Sequence, residues 1–133
     1  MDKITAIVLA RMKSSRCPGK NMSKIGGVPV IEVVLRRLSE ASTISNIILA
    51  TSVNEDDDVL EEYVKSIGFD VFRGSEDDVI GRLLECFNIY PSGRYFLRCC
   101  ADNVFIDKSE IDRVVKTGVN GDWDYVGFKN DIY

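Results

Sequence analysis

Histidine is missing from this 133-residue chain. Imidazole titrates nearest neutral pH and is the commonest metal ligand, so acid–base catalysis and metal ligation through histidine are excluded. Long apolar runs are missing as well. None approaches the roughly 20 residues that span a bilayer, and the charged flanks of the Ile4–Ala10 run do not resemble a signal peptide. A broad basic face is also missing. The 17 Lys and Arg residues face 21 Asp and Glu, a net charge of −4, which argues against nonspecific nucleic-acid binding. Paired cysteines are lacking too. Cys17, Cys86, Cys99 and Cys100 form no C-x-x-C motif, and the vicinal Cys99-Cys100 pair has poor disulfide geometry. That usage suits a reduced, cytoplasmic setting.

What remains is ordinary globular composition, 45% hydrophobic and 29% charged, in a chain long enough for one domain with a real core. The pattern alternates. Ile4–Leu9, Asn46–Ala50, Phe69–Phe72, Arg94–Cys99 and Asp124–Phe128 read as strands. Pro29–Ala41, Asp56–Ile67, Glu76–Ile89 and Lys108–Lys116 read as helices. Ile31, Val34, Leu35 and Leu38 line one face of the first helix, and Ile80, Leu83, Leu84 and Phe87 are the inward set of the third. Gly68 stops the second helix and Gly118 the fourth. Five strands alternating with four helices predict an α/β fold: a three-layer, Rossmann-like, mainly parallel sheet with helices on both faces.

In such a sheet, ligands bind past the carboxyl ends of the strands. The loop after the first strand carries four cations, Arg11, Lys13, Arg16 and Lys20, together with Ser14, Ser15 and Gly19. Arg forks, Lys point charges and small residues that let backbone N–H groups approach are what a polyphosphate needs. Across the same edge the loop after the fourth strand offers one carboxylate, Asp102, suited to a magnesium ion on those phosphates. Each feature also has a plainer reading. The basic loop could be a solvated turn, and Asp102 could cap a turn ahead of Phe105. Asp56-Asp57-Asp58 reads as negative charge at a helix start. Arg73 and Ser75 read as the approach to a helix, with Ser75 as its N-cap. Trp123 and the tyrosines read as packing residues, and Cys99 and Cys100 as small buried hydrophobes.

The stretch Ala10-Arg11-Met12-Lys13-Ser14-Ser15-Arg16-Cys17-Pro18-Gly19-Lys20 resembles the A-R-M-x-S-(S/T)-R-L-P-G-K signature of cytidylyltransferases that activate acidic sugars. These are the acylneuraminate and ketodeoxyoctulosonate (KDO) CMP-sugar synthetases and, closest, the spore-coat polysaccharide protein F group. Ile48–Ser52 is similar to the family's second strand. Val71-Phe72-Arg73-Gly74-Ser75-Glu76-Asp77-Asp78-Val79 is similar to its F-R-G-S-E-x-D-V segment, and Arg98–Asp107 to its R-x-x-x-D-x-P-x-I-D segment. The four segments occur in the family's order and span almost the whole chain.

The resemblance implies a fold of the nucleotide-diphospho-sugar transferase type and transfer of CMP from CTP to an acidic sugar, with release of pyrophosphate, for surface polysaccharide synthesis. It implies triphosphate binding by Arg11, Arg16 and Lys20, with Ala10, Ser14, Ser15 and Asn21 in the same nucleotide-binding stretch. Arg73 and Ser75 would approach base and ribose, and Asp102 would hold Mg2+. Arg11, Lys20 and Asp102 would then be the catalytic set. Cys17 stands where the nearest group has Leu, and Val104 where it has Pro. Family members continue well past the length of this chain, so residues 1–133 are expected to form a single nucleotidyltransferase-like domain, incomplete at its C-terminus. An open sheet edge in such a half favours self-association as a homodimer, or instability. Two other readings stand beside this one. One is a non-catalytic nucleotide-binding module derived from the family. The other is a nucleotide-sugar glycosyltransferase using the D-x-D spacing of Asp122 and Asp124.

Overall fold

Four parallel strands carry the fold, and their burial explains their apolar runs. In the computed structural model, residues 3–13, 18–101 and 103–127 are described. β1 (Ile4–Leu9) leads through a short antiparallel hairpin, β2 (Lys24–Ile25) and β3 (Val28–Pro29), into α1 (Val30–Ser39). Then follow β4 (Ile44–Ser52), α2 (Asp58–Ser66), β5 (Asp70–Gly74), α3 (Val79–Ile89), β6 (Phe96–Cys100) and α4 (Lys108–Asn120). The main sheet has the order β5-β4-β1-β6, with every neighbouring pair parallel. This is the expected α/β sandwich. β1, paired on both edges and covered on both faces, is buried from Ile4 to Val8.

Residue parity divides the core. Ile4, Ala6, Val8 and Ala10 face α1, α2 and α4, where Leu35, Leu38, Leu60, Val64, Ile111 and Val115 pack. Ile7 and Leu9 face α3, with Ile48, Ala50, Leu83 and Cys86. Three helices therefore cover one face and one covers the other. Gly68, with φ +92°, ends α2 as expected. No helix among the described residues is long and apolar enough to cross a membrane.

The departures from the sequence reading have physical causes. The hairpin went unread; it turns on Gly26 and Gly27, whose φ values of 57° and 86° need residues without a Cβ. β4 runs nine residues rather than five because both its edges are paired. The fifth expected strand, Asp124–Phe128, is absent over residues 124–127, and Phe128 lies outside the described residues. Trp123 and Tyr125, expected to pack, are 55% and 83% exposed. They line a cavity of about 320 Å³ with Phe96, Val115 and Ile4. Cys99 is buried, but Cys100, next along an edge strand, points the other way and is exposed. α4 passes Gly118 and ends at Gly121 instead.

α3 differs most. It begins at Val79, three residues later than expected, because Asp78 rather than Ser75 caps it: the Asp78 side chain accepts from the Gly81 N–H at 2.9 Å. The inward positions are Arg82, Leu83 and Cys86, whereas Ile80 and Leu84 are 71% and 53% exposed. Each lies two residues from Arg82, about 200° round the helix axis. Placing Arg82 under the sheet turns both outward.

α4 is tied to the start of β4 by Asp112. Its Oδ1 accepts from the Thr43 N–H at 3.0 Å and from the Thr43 hydroxyl, and its Oδ2 accepts from the Ser42 N–H at 3.3 Å and hydroxyl at 3.0 Å. Burial works to raise this carboxyl's pKa, but the bonds from Thr43 and Ser42 outweigh it and hold the group below the usual carboxylate range. A depressed pKa stabilises the folded state above the ordinary value and loses that contribution as pH falls through the folded one. Asp112→Ala is expected to cost about 2–3 kcal/mol at pH 7 in urea unfolding, the scale of hydrogen bonds to a charged group. The gap from the parent protein should shrink below about pH 4.

Candidate functional site

The strand order reverses between β1 and β6: the chain steps outward from β1 to β4 and β5, then returns to the other side of β1. Such a reversal opens a crevice at the carboxyl ends of the two strands. The Ala101 N–H donates to the Leu9 carbonyl at 3.1 Å, so the loops leaving β1 and β6 start side by side. Asp102, the expected metal ligand, follows Ala101 and lies outside the described residues.

The loop after β1 is held at both mouths. Asn21, 4% exposed, donates through Nδ2 to the Arg11 carbonyl at 2.8 Å. The next N–H, of Met12, donates to Asp57 Oδ1 at 2.7 Å. The Gly19 N–H donates to the Met12 carbonyl at 2.8 Å, closing the loop across residues 12–19. Gly19 sits at φ +74°, a left-handed conformation that favours glycine. Lys20 opens the 3-10 turn Lys20–Met22 and is half-buried. Ala10 is buried among core residues, so only its backbone is placed to meet a ligand. Ser14, Ser15, Arg16 and Cys17 lie outside the described residues. The structure thus brings Arg11, Lys20 and Asn21 together on one loop. It gives Asn21 the work of orienting the peptide that carries Arg11.

The three aspartates stand at the helix start, as read, and each also has its own partner. Asp57 is 2% exposed and ties the β1 loop to the end of β4, accepting from the Met12 N–H and from the Ser52 hydroxyl. Asp56 pairs with Lys13 at 3.2 Å, and that hydrogen-bonded pairing raises the ammonium pKa of Lys13. Asp58 pairs with Arg73 at 3.0 Å. Nothing in the spacing of an Asp run tells which member turns inward, so Asp57 was not legible in the sequence.

Arg73 is turned toward its own fold. Its guanidinium donates to the carbonyls of Ser52 and Asn54, the latter at 2.7 Å, and pairs with Glu61 at 3.3 Å besides Asp58. With those partners it ties β4, β5 and α2 together rather than standing ready for base or ribose. Ser75 begins the turn between β5 and α3, its hydroxyl accepting from the Asp78 N–H at 3.0 Å. Two arginines hold this turn. Arg82 donates to the Ser75 carbonyl at 3.1 Å, and Arg11 lies against the Glu76 carbonyl at 3.5 Å. Glu76 in turn accepts from Asn54 Nδ2 at 3.0 Å. Arg82, which sequence reasoning missed, is 2% exposed. Its pKa is lowered first by burial and then by the field of Arg11.

Asp122 and Asp124 stand elsewhere. They face Arg94 at 4.0 and 3.9 Å, and Asp124 lines the cavity with Ile4 and Phe96 at the amino ends of β1 and β6. The D-x-D spacing is therefore at the opposite edge of the sheet from the basic loop.

Comparison with known proteins agrees with this geometry. The chain is 32% identical to the spore coat polysaccharide biosynthesis protein SpsF of Bacillus subtilis, over 98% of this chain and 55% of that protein. It is 33% identical to a 3-deoxy-manno-octulosonate cytidylyltransferase of Leptospira interrogans, over 86% of this chain and 45% of the relative. A cytidylyltransferase structure from Leptospira borgpetersenii superposes with a TM-score of 0.84 at 30% identity, covering 92% of this chain and 51% of that one. The chain spans about half the length of the curated relatives it matches. A loop pinned at the switch point, a three-layer parallel sheet, and a match to the cytidylyltransferase family model over residues 5–133 together place this chain in the cytidylyltransferase family.

Proposed function

We propose that this chain forms the nucleotide-binding part of an enzyme that transfers CMP from CTP to an acidic sugar of the nonulosonic or KDO type, releasing pyrophosphate, for surface polysaccharide synthesis. The observation that carries this reading is the basic loop at the β1–β6 crevice, oriented by Asp57 and Asn21 and adjoining Ala101. The relatives named for KDO and for spore-coat polysaccharide support the sugar class.

A sugar oxygen attacks the α-phosphorus of CTP in line. The new phosphorus–oxygen bond forms as the bond to the β-phosphate oxygen breaks, and charge accumulates on the departing pyrophosphate. Arg11 and Lys20 hold the triphosphate and meet that charge, with Arg16, Ser14 and Ser15 on the same loop. No covalent intermediate with the chain is needed. Among the described residues no group of three or more His, Cys, Asp or Glu side chains stands where it could hold a cation. Magnesium is commonly bound by one or two carboxylates with phosphate oxygens and water rather than by a protein cage, and Asp102 would be the carboxylate to hold it. When bound, magnesium supplies further neutralisation of phosphate charge.

The test is pyrophosphate release from CTP with magnesium and a panel of KDO-like and nonulosonic acids. Turnover with one of them is the expected result. CTP binding without release from any sugar selects the non-catalytic module instead. Arg11→Ala should weaken CTP binding, at a scale of about 2–4 kcal/mol on the barrier, and Asp102→Ala should weaken the dependence on magnesium. If neither changes binding, the site assignment is wrong. Asp57 acts through the loop. Asp57→Ala leaves the part-buried Met12 N–H and the buried Ser52 hydroxyl without their acceptor and is expected to cost about 1–3 kcal/mol per group in urea unfolding, with weaker CTP binding. Asp57→Asn, which retains an acceptor, should restore most of both.

A further inference from the structure

We infer that Arg82 is a second guanidinium of the nucleotide site, held beside Arg11 as a receptor for a phosphate group of the bound nucleotide. This rests on the reading of the β1 crevice as a nucleotide site and adds to it a residue from α3.

Three observations carry it. First, Arg82 is 2% exposed and its Nε is buried without a hydrogen-bond partner. Its recorded acceptor is a neutral carbonyl, that of Ser75, and among the described residues no carboxylate lies within ion-pair distance. The Asp57 carboxylate favours the charge through its field without a direct ion pair. A buried charge without a direct partner is costly, and an apolar side chain of similar volume is often more stable in its place. Second, Arg82 and Arg11 meet successive carbonyls of one turn, Ser75 and Glu76, so two like charges are held together at the site. Each disfavours the other; the pKa of Arg82 is lowered first by burial and then by Arg11. An anion entering between them removes the repulsion and supplies acceptors for the unused guanidinium donors. Third, the fold is arranged around this side chain. A Cβ on Gly74 would stand 3.0 Å from Arg82 Cγ and 2.8 Å from Phe72 Cε1, so the strand leaves room for it. Ile80 and Leu84 are exposed as a consequence of its inward position. An arginine kept inside at the expense of two apolar side chains outside points to binding rather than packing.

The experiment compares wild type with Arg82→Met, which fills the space without charge, and Arg82→Gln, which can still donate to the Ser75 carbonyl. Titrations use CTP, inorganic triphosphate and cytidine, and melting temperatures are read with and without inorganic triphosphate. The expected result is that both ligand-free variants melt at or above the wild-type temperature. CTP affinity should fall at least tenfold, and the upward melting shift given by inorganic triphosphate should be lost. Cytidine, which carries no phosphate, should bind the variants and wild type alike. A lower melting temperature of both ligand-free variants makes Arg82 a structural clamp on the turn and overturns the proposal. CTP binding within twofold of wild type in either variant overturns it as well. If wild type itself fails to bind CTP, the nucleotide reading fails separately, and the triphosphate arm still decides whether the two guanidiniums form an anion receptor.

Discussion

The buried carboxylate of Asp57 is the joint on which the site depends. β1 and β4 run parallel, pairing as far as Leu9 and Ala50, and backbone pairing between them stops where the loop after β1 begins. Beyond that point the Met12 N–H of the basic loop and the last side chain of β4, Ser52, are both bonded to Asp57. Asn21 then fixes the carbonyl of the same peptide link between Arg11 and Met12. A peptide bonded on both its N–H and its C=O has little rotational freedom left, so the position of Arg11 follows from two buried side chains. Of the cations on this loop, Lys13 is paired with Asp56, whereas Arg11 lies against the Glu76 carbonyl at the turn between β5 and α3.

Charge is distributed in a way that suits such a crevice. The protein is acidic overall, and several of its carboxylates near the site are already engaged. Asp56 meets Lys13, Asp58 and Glu61 meet Arg73, and Glu76 meets Asn54. Arg11 and Arg82 meet backbone carbonyls instead. The same edge of the sheet therefore holds arginines used up inside the protein and arginines that keep donor capacity. The difference lies in what surrounds each side chain, since all are chemically the same residue.

The surface also shows where the described residues leave apolar side chains exposed. Among the described residues β6 pairs with β1 alone, and a cavity beside it is lined by Trp123 and Tyr125. Ile80 and Leu84 form an apolar pair on the outer side of α3, and Phe105 is 91% exposed.

Much of this was legible in the amino-acid order. Apolar runs at strand length, the stripe of Ile31, Val34, Leu35 and Leu38, and the stop at Gly68 all act through local geometry, and the structure follows them. The motif from Ala10 to Lys20 named the family because a phosphate loop needs particular residues at consecutive positions. Two kinds of feature were not legible. Strand ends and the false strand at Asp124 depend on whether a neighbouring strand is there to pair, which no local pattern records. The inward turn of Asp57 among three aspartates, the inward Arg82 at the cost of Ile80 and Leu84, and the capture of Arg73 by Asp58 and Glu61 depend on partners that folding brings from distant positions. By itself the sequence determined the strand and helix periodicity and the chemistry of one loop, since both are set by adjacent residues. Only the tertiary structure decided which charged side chains face the crevice and which are spent inside the protein, because a side chain's electrostatic role is fixed by its neighbours in space.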